Sequence, residues 1–200
     1  MPVFHMEHKL ADFDKWLAVF KIGNPRKEIE AKYGVKSLRV MQDADDRNHA
    51  IIVMEADSRS AIDEMINEPK VRERFADTSL FAEPPKVLTG YERFDVSSFT
   101  EGENPAVLVD HRVTDFDLWT KSQETNRDQR NEMYQKHGIK VIRELHDIED
   151  RNHVVVVMLA PGRSAVENLF AEPPAQASFA NKEVFQRAPR IIGQFNPIAV

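Results

Sequence analysis

The sequence predicts an α+β fold: two ferredoxin-like β-α-β-β-α-β repeats whose antiparallel sheets pack face to face as an intramolecular pseudo-dimer. Three observations lead there. The chain repeats itself, since Gly34–Ala76 and Gly138–Ala180 align without a gap at an offset of 104, with 18 identities in 43 pairs. A period of that length matches one small domain rather than a solenoid unit. Each half carries strand, helix, strand, tight turn, strand, short helices and strand, an order in which helices cover only one face of a four-stranded sheet. Finally, Ala50–Met54 and Val154–Leu159 are apolar at every position. A sheet with one wet face alternates instead, so both faces must be covered.

In chain order, strands are expected at Val3–Leu10, Lys36–Gln42, His49–Ala56 and Val87–Phe94. Their repeats fall at Ala106–Val113, Lys140–His146, His153–Ala160 and Arg190–Asn196. A long helix follows the first strand of each copy. It starts at Asp12 or Asp115, whose short carboxylate can accept from the free N–H groups of the first turn. It closes at Gly34 or Gly138, which tolerate the left-handed conformation of a helix end. Gly23-Asn24-Pro25 breaks the first copy's helix, because proline lacks the N–H and crowds the preceding turn. The turns Asp46–His49 and Asp150–His153 join two strand patterns and read as hairpin connections built on Asp and Asn side chains. Glu68-Pro69 and Glu172-Pro173 read as further helix starts. The domains are accordingly residues 1–98 and 106–200, joined by a polar linker at 99–105, and neither half is expected to be stable alone.

Composition removes several classes of function. With no cysteine, the 200-residue chain has no disulfides, thiolate nucleophiles or zinc–sulfur sites. The cytoplasm is the expected compartment, since there is neither a leader pattern nor an apolar run long enough for a membrane span. A net charge of −6 with scattered Lys and Arg argues against nucleic acid, which would want a concentrated basic face. No Gly-rich phosphate loop, Gly-x-Ser-x-Gly elbow or His-Glu-x-x-His helix is present, so no cofactor is expected.

Several motifs carry a family resemblance over nearly all of both halves. They are the Asp-Phe-Asp-x-Trp helix starts (Asp12–Trp16 and Asp115–Trp119), the closing glycine, the acidic-Asp-x-Asn turn that runs into a Val-Met strand, and the late Ala82-Glu83-Pro84. Together they resemble the dimeric α/β-barrel superfamily, specifically its tandem, self-paired members. That group includes antibiotic-biosynthesis monooxygenases, haem-degrading monooxygenases and small lactone isomerases. One departure is Arg47 and Arg151, where such proteins commonly have proline. The resemblance implies a substrate held in the cleft between helices and sheet, but the fold hosts unrelated chemistries and fixes none of them.

Candidate site residues come from three patterns. On the helical wheel of the second copy, the stripe of Phe116 and Trp119 continues through Gln123, Asn126, Arg130, Met133 and His137. The first copy runs more apolar, through Phe13, Trp16, Phe20, Arg26, Ile29 and Tyr33. Such a stripe either faces a hydrated pocket or turns toward solvent, because buried Arg or Asn without partners is costly. Histidines form the second pattern. His8 ends the first strand and His49 begins the third, as do His111 and His153, so each pair is expected at one sheet edge near Trp16 or Trp119. They could serve acid–base chemistry or ligand binding, or be strand-end residues satisfied by turn carboxylates. No metal is expected, since the third-ligand candidates Glu7, Asp46, Asp110 and Asp150 lack a diagnostic spacing. Third, Arg39 and Arg143 occupy mid-strand positions, as edge guards or as clamps on a carboxylate. Trp16 and Trp119 read as core anchors or as walls of a ligand site.

Two readings stay open. In one the chain binds a small organic molecule in a helix–sheet cleft without catalysis, or is purely structural, with Trp119, Asn126, Trp16, His8, His49 and Arg39 as binding residues. In the other it is a cofactor-independent monooxygenase, isomerase or cyclase acting on a small aromatic or carboxylated metabolite, with His111, His153, Arg130 and Arg143 as catalytic residues. A haem-processing role is a third, lesser alternative. Further homodimerisation is left open.

Overall fold

A computed structural model describes residues 1–93 and 105–198, as two compact units: Met1–Glu92 with Asn196–Val200, and Arg93–Phe195. The expected end of the fourth strand at Phe94 and the linker at 99–104 lie outside the described residues.

The first unit runs β1 (Val3–Lys9), α1 (Phe13–Ile22), α2 (Asn24–Lys32), β2 (Lys36–Asp43), β3 (His49–Glu55), α3 (Arg59–Ile66), α4 (Pro69–Phe75) and β4 (Lys86–Arg93). Its sheet is antiparallel in the order β4-β1-β3-β2, with β1 and β3 in register from Val3 opposite Glu55 to Lys9 opposite His49. The second unit repeats this with β5 (Ala106–Arg112), α5 (Phe116–Thr125), α6 (Arg127–Lys136), β6 (Lys140–Asp147), β7 (His153–Leu159), α7 (Arg163–Ala171), α8 (Pro173–Ala180) and β8 (Arg190–Ile198). Its order is β8-β5-β7-β6, and Ala106 to Arg112 face Leu159 to His153. Both are the 4-1-3-2 order of the ferredoxin-like unit.

The caps form as the sequence predicts. Asp12 Oδ1 accepts from the Lys15 N–H at 3.0 Å and Asp115 Oδ1 from the Leu118 N–H at 2.8 Å. A second side chain reinforces each helix start, because Asn48 Oδ1 accepts from the Phe13 N–H at 3.1 Å and Asn152 Oδ1 from the Phe116 N–H at 2.9 Å. The repeated hairpin turn thus fastens the helix that precedes it in sequence. At the other end Gly34 and Gly138 take φ values of 64° and 66°. The Val35 N–H reaches back to the Glu30 carbonyl at 2.8 Å, and the Ile139 N–H to that of Tyr134 at 2.8 Å, the bond pattern of a glycine-closed helix end.

One expectation changes. The second copy, read as one helix, is two: α5 and α6 meet at Asn126, whose φ of −102° and ψ of 19° leave the helical region. The Asn126 side chain donates to the Ser122 carbonyl at 3.0 Å, competing with the continuing ladder. The stripe drawn through residues 116–137 therefore changes direction at that residue.

Each unit has its core between helices and sheet. Phe4, Met6, Trp16, Ile52 and Ile62 build the first, and Val107, Val109, Trp119, Val156 and Val166 the second. The alternate strand residues, including Met41, Ile51, Leu108, Leu145 and Val155, are buried as well. Both faces of each sheet are covered, as the uninterrupted apolar runs require.

Candidate binding cleft

A cavity of about 750 Å³ opens between the helices and the sheet of the first unit. Its floor comes from β1 and β3 (Met6, His8, Ile52, Met54), one wall from Trp16 and Phe20 of α1 and Ile29 of α2, and the other from Val71, Phe75 and Phe81 in and beyond α4. Helix periodicity explains the first wall, because residues three and four apart share a face. Two bonds from Glu68 tie the end of α2 to the start of α4: Tyr33 Oη donates to it at 2.6 Å and Lys32 Nζ at 2.7 Å.

His8 is buried in this lining, 1% exposed, with its ring 5.5 Å from that of Trp16, 5.6 Å from Phe81 and 6.2 Å from Phe75. Its Nδ1 sits 3.2 Å from the Met6 carbonyl oxygen. A carbonyl only accepts, so Nδ1 carries the proton and Nε2 keeps its lone pair. Burial, by desolvating the charged form, pushes the imidazole pKa down to about 4, and the ring is neutral at neutral pH.

A polar cluster sits on the opposite side. The Arg26 guanidinium lies 4.0 Å above the Phe20 ring and donates to Glu30 Oε1 at 2.6 Å. Glu30, itself buried, also accepts from Ser37 Oγ at 2.7 Å and from the Ser37 N–H at 3.3 Å. This trio is internally neutralised, so it orients the wall rather than presenting a bare charge. Lys70, Glu73 and Arg74 of α4 edge the mouth with mixed charge.

The structure separates the histidine pairs. His8 is opposite Ala50 in the β1–β3 ladder, one residue out of step with His49, and alternate strand residues face opposite sides. His49 lies on the far face, with Nδ1 2.7 Å from Asp43 and Nε2 3.0 Å from Glu7. The second unit repeats the division. His111 packs near Trp119 and Phe185, its Nδ1 is 3.3 Å from the Val109 carbonyl, and burial pushes its pKa to about 4. His153 lies on the other face, 2.9 Å from Asp110 and 3.1 Å from Asp147, and these carboxylates raise its pKa. Asp110 also binds Arg187 and, at 2.7 Å, Arg190; these partners and His153 together outweigh the effect of burial and hold its carboxyl far below the usual range.

The remaining expected residues are dispersed. Arg130 donates to the Gln123 carbonyl at 2.8 Å and to the Gln123 side chain, while Asn126 is exposed at the helix junction. Arg143 is half-buried and donates to the Ile142 carbonyl at 2.6 Å; Arg39 is half-buried on β2. Trp16 and Trp119 are both buried, and Trp16 lines the cleft. Sequence reasoning passed over Glu30 and Ser37. Their signal lay in the alignment of the copies, where Tyr134 and Val141 stand in their places. The same alignment puts Phe170 in the place of Ile66, and Phe170 packs edge-on to Phe179 at 5.2 Å.

No protein-family model matches this sequence, and no curated protein does either. Solved structures match throughout. A putative monooxygenase from Lactobacillus acidophilus NCFM aligns with a TM-score of 0.56 at 13% identity, over 98% of this chain and 93% of its own. An anthrone oxidase-like protein aligns with a TM-score of 0.52 at 11% identity, over 99% and 92%. A mutant chlorite dismutase from Candidatus Nitrospira defluvii aligns with a TM-score of 0.51 at 12% identity, over 98% and 90%. At such identities the likeness speaks for the fold alone. This chain carries the ferredoxin-like β-α-β-β-α-β unit twice over.

Proposed function

We propose that the first repeat binds a small, largely apolar organic molecule in the cleft between its helices and its sheet. One observation carries this reading: the cavity of about 750 Å³, in the size range of small-molecule sites, with apolar and aromatic walls and a few fixed polar groups. Neutralisation of Arg26 by Glu30 and the low pKa of His8 keep the interior free of net charge, which favours an uncharged ligand body.

A cofactor-independent oxygenase, isomerase or cyclase acting on a small aromatic or carboxylated molecule is the second reading. It is favoured by the neutral imidazole inside the cleft and by the names of the first two neighbours described above, a putative monooxygenase and an anthrone oxidase-like protein. The catalytic set expected from the sequence, His111, His153, Arg130 and Arg143, lies in the second repeat and outside that cleft, with His111 and His153 on opposite faces of their sheet. On this second reading Arg130→Ala abolishes turnover with little loss of stability, while His153→Ala abolishes turnover and also costs stability by removing a partner of the buried Asp110.

The binding reading is tested with Trp119→Phe, which leaves Trp16 as the sole indole. Titration with 2-methoxynaphthalene should shift the Trp16 indole N–H resonance saturably. Ile29→Phe with Val71→Phe, which narrow the cleft from both walls, should weaken the titration. No shift with the probe, or an undiminished shift in the narrowed variant, removes the proposal.

A further inference from the structure

Resting on the cleft as a binding site, we propose that His8 Nε2 is the anchor for an uncharged hydroxyl or N–H group on the ligand, accepting its hydrogen bond at the floor formed by β1 and β3. The tautomer is fixed, because the Met6 carbonyl 3.2 Å from Nδ1 can only accept, and Nε2 therefore presents a lone pair. The side chain is 1% exposed and lines the cavity, and among the described residues its hydrogen bond is the one at Nδ1. An acceptor set in an apolar wall gains a hydrogen bond when a ligand that displaces water from the cleft brings a donor to it.

The surroundings select the kind of donor. Trp16, Phe75 and Phe81 enclose the ring with apolar surface, so an ammonium brought beside it would be desolvated without a counter-charge. Glu30, the carboxylate of the cleft wall, is already engaged by Arg26 and Ser37. A ligand carboxylate would meet the lone pair of Nε2 and be repelled. A lone imidazole also makes a poor metal site, and among the described residues no group of three His, Asp or Glu is arranged to hold an ion. What remains is a neutral O–H or N–H on a flat apolar body, with its ring against Trp16.

The matched probes 2-naphthol and 2-methoxynaphthalene differ in whether they offer that hydrogen. Calorimetric titration of the full-length protein at pH 7 should show 2-naphthol bound about tenfold more tightly, the equivalent of one hydrogen bond. His8→Phe keeps a ring and loses the acceptor, and should bring the two affinities together. In the unsubstituted protein, the ¹⁵N resonance of His8 Nε2 should move with 2-naphthol and stay with 2-methoxynaphthalene, a readout that does not depend on the variant's folding. Equal affinities, or an Nε2 resonance indifferent to 2-naphthol, overturn the role of His8 while leaving the cleft intact. If neither probe binds, the binding reading itself has failed.

Discussion

Three buried imidazoles make this fold acid-sensitive by an amount the structure sets. His5, His8 and His111 are each almost wholly inaccessible, and desolvation pushes each from 6.5 to about 4. In the unfolded chain they titrate near 6.5, so between pH 6.5 and 4 the unfolded state holds more protons and acid draws the protein toward it. Their contribution is complete above pH 6.5, falls as pH drops, and is exhausted below about 4. At pH 5 the loss is about 2 kcal/mol for each, and about 6 kcal/mol for the three together. That is a large share of the roughly 5–15 kcal/mol that holds a typical protein folded. His153 works in the opposite direction. Asp110 and Asp147 raise its folded pKa, so it stabilises fully below 6.5 and loses that effect as pH rises through the folded value. Urea unfolding followed by circular dichroism at pH 7 and pH 5 measures the sum. The free energy should fall by several kcal/mol, and the fall should shrink by about 2 kcal/mol in His8→Phe and again in His111→Phe. A stability independent of pH over this window, or a pH effect untouched by both substitutions, would falsify the burial of neutral imidazoles as its cause.

Other outcomes follow from particular contacts. Gly34→Ala should lower stability by about 1 kcal/mol through its left-handed backbone alone, since no atom lies within 4 Å of the added carbon. Gly138→Ala should cost more, because its methyl would also meet Pro161 at 3.2 Å; thermal melts that rank the two the other way refute this. Asn48→Ala and Asn152→Ala should each cost about 1 kcal/mol and Asn48→Asp much less, as the aspartate keeps an acceptor for the Phe13 N–H; denaturant midpoints decide. Glu30→Leu should destabilise by about 2 kcal/mol or more, leaving Ser37 and the partly buried Arg26 without their acceptor, and equal midpoints for variant and parent would contradict the neutralised trio.

What could be read in advance was local or periodic. The strand limits, the caps at Asp12 and Asp115 and the helix-closing Gly34 and Gly138 depend on a few neighbouring residues, and the structure has them within a residue or two. The break at Asn126 escaped notice because no proline or glycine marks it. The spacing of the histidines predicts each pair near one sheet edge beside its indole, but a one-residue step in register decides the face, and with His8 opposite Ala50 it sets His49 on the other side. The cleft was the least legible feature. The polar stripe of the second copy points to a hydrated pocket there, whereas the cavity opens behind the more apolar stripe of the first. A cavity is a sum of side-chain volumes from elements far apart in sequence, such as Ile29 with Val71, and no single-helix pattern contains that sum.

Asn48 and Asn152 give each hairpin its hold on the neighbouring helix, while the residues that differ most meaningfully between the copies lie on the cleft wall, at Glu30 against Tyr134 and Ser37 against Val141. The fasteners and the cleft wall are therefore written in separate sets of amino acids. An engineer could transplant one repertoire into the other repeat, or replace it with a designed one, and leave the chassis untouched.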